Sequence, residues 1–223
     1  MQTNFVNFKL RTMTKLYTIV TLFCACLTLN ATAQNDAAAQ KTIDALNAKM
    51  KSLKGFTASY TSVTTDKNKK SLGTIKGTIT LKGTKFYVTM GKAEIISDGT
   101  KLWNYDGSSE VTVGKASDAA DDMVSPQAFI DGISTKDFTF KTISNTGSIQ
   151  QVELIPVDKR KNIKQVILSI DKTKNLITKV SLTDKGGNTT VITFSNLNTN
   201  AVIPDSKFSF DVSKHPGVEV IQQ

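Results

Sequence analysis

Apolar residues change their spacing along the chain, and the spacing predicts which elements form. Within residues 36–53, Ile43, Leu46, Met50 and Leu53 follow one another at steps of three and four. Such steps place apolar side chains on one face of an α-helix, and Asp36 is a suitable N-cap. The pattern predicts an amphipathic helix that begins near Asp36.

After residue 55 the apolar period is two, which is typical of β-strands with one apolar face. Phe56, Ala58 and Tyr60 form the first alternating run. Turns such as Lys82-Gly83 and Asp98-Gly99 separate the runs at short intervals and indicate an antiparallel meander. The alternation resumes after residue 137, and the whole pattern predicts about eleven strands, with thirteen as the upper count.

A different pattern interrupts the strands over residues 115–134, where Met123, Phe129 and Ile130 around Pro126 predict short helices. Antiparallel sheets of this many strands curl, and a barrel of more than about eight strands is too wide for its side chains to fill. The helices must therefore cover the apolar face of the sheet. We predict a mainly β (α+β) fold, namely an incomplete, strongly curved antiparallel β-barrel. The N-terminal helix and the short central helices form a lid over a hydrophobic cavity.

Residues 1–33 are typical of a cleaved secretory signal peptide. Three basic residues precede the apolar run 16–29, and the small residues Ala31-Thr32-Ala33 form a suitable cleavage site. The run is shorter than the roughly 20 residues of a membrane-spanning helix. Cleavage after Ala33 leaves 190 of the 223 residues, which predicts one mature domain over 34–223.

The composition of the mature chain limits the partners it can bind and the reactions it can carry out. Loss of the signal peptide, with three basic and no acidic residues, lowers the formal net charge from +9 to +6. Arg160 is the only mature arginine and the lysines are scattered, whereas nucleic-acid surfaces concentrate basic residues and interleave aromatics. We therefore expect no nucleic-acid partner. Cys24 and Cys26 both leave with the signal peptide, which removes thiol chemistry from the mature chain.

The residues that most enzymes use are scarce or poorly placed. His215 is the single histidine and precedes Pro216 near the C-terminus, so neither a nucleophilic triad nor a histidine-rich zinc site can be assembled around it. The pair Asp121-Asp122 adjoins the predicted lid, and Lys185-Gly186-Gly187-Asn188 is a hairpin turn by composition. We expect a non-enzymatic protein without a metal or a cofactor.

Several stretches together resemble the outer-membrane lipoprotein carrier proteins (LolA-like) of the periplasm. Residues 97–105, SDGTKLWNY, are similar to the family's "SDGKTLWxY" hairpin. Phe208-Ser209-Phe210 with the PGVEV of residues 216–220 is similar to the family's "FxF…PxGVxV" ending. The pattern of residues 77–90 and the FTASY of residues 56–60 also match in order and spacing. The resemblance covers nearly the whole mature chain.

The resemblance implies a monomeric periplasmic carrier of a Gram-negative-type bacterium that shields the acyl chains of lipoproteins. Its implied partners are acylated lipoproteins, an inner-membrane lipoprotein-releasing transporter, and an outer-membrane acceptor or the membrane itself. It assigns Phe129 and Ile130 to the lid, and strand phase selects the residues that face the cavity. The predicted cavity residues are Ile79, Leu81, Phe86, Val88, Met90, Trp103, Tyr105, Phe138, Phe140, Val166, Leu168 and Ile170.

The chain departs from the family at one position. Well-studied members place an arginine that holds the lid closed where this chain has Gly83, and Lys82 or Lys85 would be a weaker substitute. Two other hypotheses stay open at this point. The chain could bind another lipid or a glycolipid in the same cavity, or it could be a structural β module with a filled core. A lipid hydrolase is a more distant alternative.

Overall fold

A computed structural model of the chain describes residues 36–117 and 125–223. The predicted signal peptide with Cys24 and Cys26, and the residues Asp121, Asp122 and Met123, lie outside these ranges. Helix α1 spans Ala37–Ser52 and helix α2 spans Pro126–Asp131. The twelve strands in the described ranges are β1 (Phe56–Thr65), β2 (Ser71–Lys82), β3 (Lys85–Met90), β4 (Ala93–Ser97), β5 (Lys101–Tyr105), β6 (Glu110–Lys115), β7 (Phe138–Thr146), β8 (Ile149–Pro156), β9 (Ile163–Asp171), β10 (Leu176–Asp184), β11 (Thr189–Asn198) and β12 (Glu219–Gln222).

The strands form a single curved, open sheet in the order β12-β6-β5-β4-β3-β2-β1-β11-β10-β9-β8-β7. All neighbouring strands are antiparallel except β12 and β6, which are parallel. The predicted mainly β fold is thus confirmed, with one strand more than the expected eleven. Neither α-helix of the described ranges has the length and hydropathy needed to cross a membrane.

Helix α1 begins and packs as the sequence predicts. The Asp36 carboxylate accepts a hydrogen bond from the Ala38 amide at 2.8 Å and caps the first turn. Ala39, Ile43 and Leu46 are almost fully buried against the apolar face of strands β7 to β10. The helix therefore covers the inner face of one half of the curved sheet, and Met50 near its C-terminus also packs against a second apolar cluster on β1 to β3.

Strand register decides which residues share the inner face of the sheet, because directly paired residues point to the same side. Phe86 pairs with Ser97, which pairs with Leu102. Ile96 pairs with both Tyr87 and Trp103, on the opposite face. The inner face defined by Phe86 and Leu102 continues through Phe56 and Leu81 in β1 and β2.

The prediction that Trp103 and Tyr105 face the cavity is therefore wrong. Both belong to the outer face of β5, one residue out of phase with Leu102. The C-terminal segment covers this outer face, and Tyr105 packs there against Phe210 and His215 at ring-centroid distances of 5.3 and 4.6 Å. Apolar residues on both faces of β5 made the phase ambiguous in the sequence.

Candidate functional site

A cavity of about 280 Å³ lies on the inner face of the sheet beneath the start of α2. Strands β1 to β4, β10 and β11 form its walls, and residues Ser125, Pro126 and Phe129 form its roof. The strand residues that line it are Tyr60, Ser62, Ile75, Ile79, Val88, Met90, Ile95, Val180, Ile192 and Phe194. Most of this lining is hydrocarbon or aromatic ring, so the cavity suits an apolar ligand.

The few polar groups of the cavity are already engaged or remain neutral. The Tyr60 hydroxyl donates a hydrogen bond to the Thr89 carbonyl at 2.7 Å, and burial raises the pKa of Tyr60. The Ser125 hydroxyl accepts a hydrogen bond from the Ala128 amide and caps α2. The described lining thus presents no ionised group that would need a charged partner.

A second cavity, of about 290 Å³, lies on the other side of Phe129. Its floor is apolar and includes Phe138, Val166 and Leu168, whereas its rim carries charged residues such as Lys136 and Asp158. A smaller apolar void of about 40 Å³ lies between Ile79, Leu81, Phe129 and Phe194. Phe129 lines all three spaces and therefore lies between them.

The lid helix α2 is held at both ends. Ser125 caps its N-terminus, and Pro126 fits the first turn because its missing amide hydrogen has no partner there. After the helix, Gly132 adopts a φ of 98°, a conformation that favours glycine. The Asn47 side chain of α1 then donates to the Ile133 carbonyl at 2.8 Å and accepts from the Ile133 amide at 3.0 Å. This double hydrogen bond ties the exit of the lid to the helix that fills the barrel.

Comparison with known proteins agrees with this geometry. A sequence profile described as "Outer membrane lipoprotein carrier protein LolA" matches residues 51–211. The chain belongs to the outer membrane lipoprotein carrier protein family. An outer-membrane lipoprotein carrier protein from Chromobacterium violaceum is 28% identical over 216 residues, which cover 94% of this chain and 98% of that protein. One from Pseudomonas entomophila is 29% identical over 172 residues, which cover 75% and 82%.

The fold also resembles a solved structure. An uncharacterised conserved protein from Thermus thermophilus superposes with a TM-score of 0.55 at 8% sequence identity, covering 83% of this chain and 99% of that one. At this identity the likeness supports the curved-sheet architecture alone.

The predicted site residues of this lipoprotein carrier family member fall into distinct places. Ile79, Val88 and Met90 line the first cavity, and Leu81 lines the small void beside it. Phe138, Val166 and Leu168 line the second cavity. Phe86, Phe140 and Ile170 are buried in the core and line none of these three spaces. Phe129 and Ile130 lie on α2, within the predicted lid. Contact with lipid stays a prediction for all of them.

The family resemblance places an arginine at the position of Gly83, and neither neighbouring lysine takes the role expected of it. The ammonium groups of Lys82 and Lys85 lie 3.1 and 3.0 Å from the Asp205 carboxylate in the C-terminal segment. Lys82 also donates to the Ile203 carbonyl at 2.9 Å. The suggestion that either lysine holds the lid is therefore wrong, because both point to the segment that covers the outer face. Among the described residues, Asn47 makes polar contacts to the segment that follows α2.

Several cavity residues escaped the sequence analysis. Ser62, Ile192 and Phe194 face the cavity because β11 pairs with β1 across more than a hundred residues of sequence. Period-two alternation shows which residues of β11 share a face, but not which face is the inner one. In the described ranges no group of three or more histidine, cysteine or acidic residues is arranged to hold a metal.

Proposed function

We propose that this protein carries lipoproteins across the periplasm by enclosing their acyl chains in the cavity beneath α2. The apolar lining of that cavity is the observation that carries the proposal. The family relationship supports lipoprotein cargo and a periplasmic, non-enzymatic role. The proposed partners are the acylated end of the cargo, a releasing transporter in the inner membrane, and an acceptor at the outer membrane.

The energetics of an acyl chain explain why a carrier is needed. Burial of one methylene is worth about 0.8 kcal/mol, so exposing a chain of roughly fifteen methylenes to water costs about 12 kcal/mol. Uncovered lipoproteins would therefore stay in the membrane that holds them. An apolar cavity in a protein that travels between membranes removes most of this barrier.

The size of the cavity implies that the lid moves. At about 280 Å³ the first cavity is slightly smaller than the roughly 300–1,000 Å³ that is typical of pockets for drug-sized ligands. A lipid anchor with two or three acyl chains needs more space. Outward movement of α2 would withdraw Phe129 and join the first and second cavities, so we propose that loading opens the lid.

A matched pair of variants tests this function. Ser62 lines the cavity, and Thr61 precedes it on the opposite face of β1. Ser62→Phe adds an apolar ring to the cavity without burying a charge, whereas Thr61→Phe adds the same ring outside it. The assay is the release of newly acylated lipoproteins from spheroplasts by purified mature protein.

We expect wild type and Thr61→Phe to release lipoproteins into a soluble one-to-one complex, and Ser62→Phe to release at least about tenfold less, a loss of about 1.4 kcal/mol in binding. If folded wild-type protein releases nothing, the lipoprotein function is refuted. Lipids extracted from the native protein would then identify a different amphiphilic cargo.

A further inference from the structure

Over residues 71–76, strand β2 has an edge that no other strand of the described ranges covers. Strand β1 pairs with β2 along residues 71–81, whereas β3 pairs only with residues 79–82. The Gly91 amide donates to the Lys76 carbonyl at 3.2 Å, so the polar backbone groups of Lys76 point away from β1. In an antiparallel ladder the direction of the backbone N–H and C=O alternates from one residue to the next. Thr74 lies two residues before Lys76, so it also points these groups away from β1. Among the described residues, none lies in position to bind them.

This edge carries two exposed apolar side chains and lies beside the cavity. Leu72 and Ile75 are 58% and 47% exposed. Ile75 also lines the cavity beneath α2. A chain whose lipid occupies that cavity would therefore leave it close to residues 71–76.

The β7 edge of the same sheet is protected. On β7 the Asp36 amide donates to the Phe140 carbonyl at 3.1 Å, and the Asp36 carboxylate accepts from the Thr142 amide at 2.9 Å. Exposed strand edges act as templates for pairing with another chain, and proteins normally cover them. The β2 edge lacks any such cover within the described ranges.

The charges around the edge indicate the kind of strand that fits. Lys67, Lys69, Lys70, Lys76 and Lys92 are exposed at its two ends, and none of them forms an ion pair with another described residue. This excess of positive charge, partly offset by Asp66 in the same turn, would repel a second copy of the same edge and attract an acidic peptide.

We propose that residues 71–76 of β2 bind an extended, acidic segment of the cargo polypeptide next to its acylated end, by adding it to the sheet as a strand. The inference rests on the proposed lipoprotein function and extends it to the protein part of the cargo. Backbone hydrogen bonds would provide the affinity and the lysines the preference for acidic residues.

The test uses dye-labelled eight-residue peptides, either free or palmitoylated at the N-terminus, with glutamate or serine at alternate positions. Binding is measured by fluorescence anisotropy. Thr74→Pro removes the outward amide and obstructs an added strand, whereas Thr74→Val keeps the amide and changes only an exposed side chain. We expect the free acidic peptide to bind wild type and Thr74→Val equally, and Thr74→Pro at least about tenfold more weakly.

Charge reversal provides a second variant that does not disturb the backbone. Lys70→Glu with Lys76→Glu should remove the preference for the glutamate peptide. Lys172→Glu with Lys174→Glu, in the β9–β10 turn, makes the same change of charge elsewhere and should retain the preference. In wild type, the acidic peptide should also slow hydrogen exchange of the Thr74 amide.

The outcomes separate this inference from the proposed function. The strand inference is overturned if the palmitoylated serine peptide binds but glutamate adds no affinity. It is also overturned if Thr74→Pro binds the glutamate and serine peptides like wild type. In either case the lipid function stands. The Thr74 amide could also be protected from hydrogen exchange without peptide, increasingly so at higher protein concentration. That result would show that two copies of the β2 edge pair with each other, and it would overturn the strand inference. If neither palmitoylated peptide binds better than its free form, the lipid function itself fails.

Discussion

Asn47 provides the sharpest test of how the lid is held. Its side chain makes two hydrogen bonds with the backbone of Ile133, at 2.8 and 3.0 Å, and these bonds bridge 86 positions of sequence. Asn47→Leu keeps a similar size and removes both. Because each hydrogen bond contributes about 0.5–1.5 kcal/mol, the closed lid should lose about 1–3 kcal/mol. The opening equilibrium should then rise by about 5- to 150-fold.

Hydrogen exchange measures this opening directly. In the closed lid the Gly132 amide donates to the Ala128 carbonyl at 3.1 Å, and the Phe129 amide donates to the Ser125 carbonyl at 3.3 Å. Both amides should exchange about 5- to 150-fold faster in Asn47→Leu. Gln40→Leu is the control, because it removes only the hydrogen bond to Asp44 on the exposed side of α1. Equal exchange in Asn47→Leu and the control would refute the role of Asn47.

Three further predictions follow from burial, strand phase and protonation. Phe86 is fully buried, so Phe86→Ala should lower the free energy of unfolding by about 3–5 kcal/mol in a denaturant titration, and a loss below about 1 kcal/mol would contradict its place in the core. Trp103 faces outward, so Trp103→Phe should leave the affinity for a palmitoylated peptide within about twofold of wild type. A tenfold loss of affinity would indicate that Trp103 contacts the ligand in the cavity. Hydrogen bonds from Thr142 and from the α1 amides lower the pKa of Asp36. The ionised Asp36 carboxylate therefore stabilises the fold fully above about pH 4, and this contribution is lost as the pH falls through the lower pKa of the folded state. Asp36→Asn should flatten the loss of stability below about pH 4, and an unchanged acid profile would contradict this cause.

Period-two alternation predicted the strands well because most strands bury one face only. It placed Ile79, Val88 and Met90 on one side of the sheet, and the pairing of β2 with β3 agrees. It failed at Trp103 and Tyr105 because β5 carries apolar residues on both faces. Leu102 packs on the inner face, and Tyr105 packs on the outer face against Phe210 of the C-terminal segment. Alternation alone cannot distinguish an inner face from a covered outer face.

Contacts between distant segments were beyond the reach of local patterns. The side chain of Asn47 looks like any polar residue on a helix, and only the folded chain brings it to Ile133. Lys82 and Lys85 were considered for the lid because of their sequence position, yet the folded C-terminal segment places Asp205 beside both. In each case the partner lies more than eighty positions away.

The central claim is that acyl chains occupy the cavity beneath α2. A palmitoylated peptide with a photoreactive diazirine near the end of its acyl chain tests this claim most directly, with the crosslinked residues identified by mass spectrometry. We predict crosslinks to the cavity residues Ile79, Val88 and Met90 and to Phe129 of the lid, with loss of these crosslinks in Ser62→Phe but not in Thr61→Phe. Crosslinks confined to the outer face around Trp103, or crosslinks that Ser62→Phe leaves unchanged, would contradict the account.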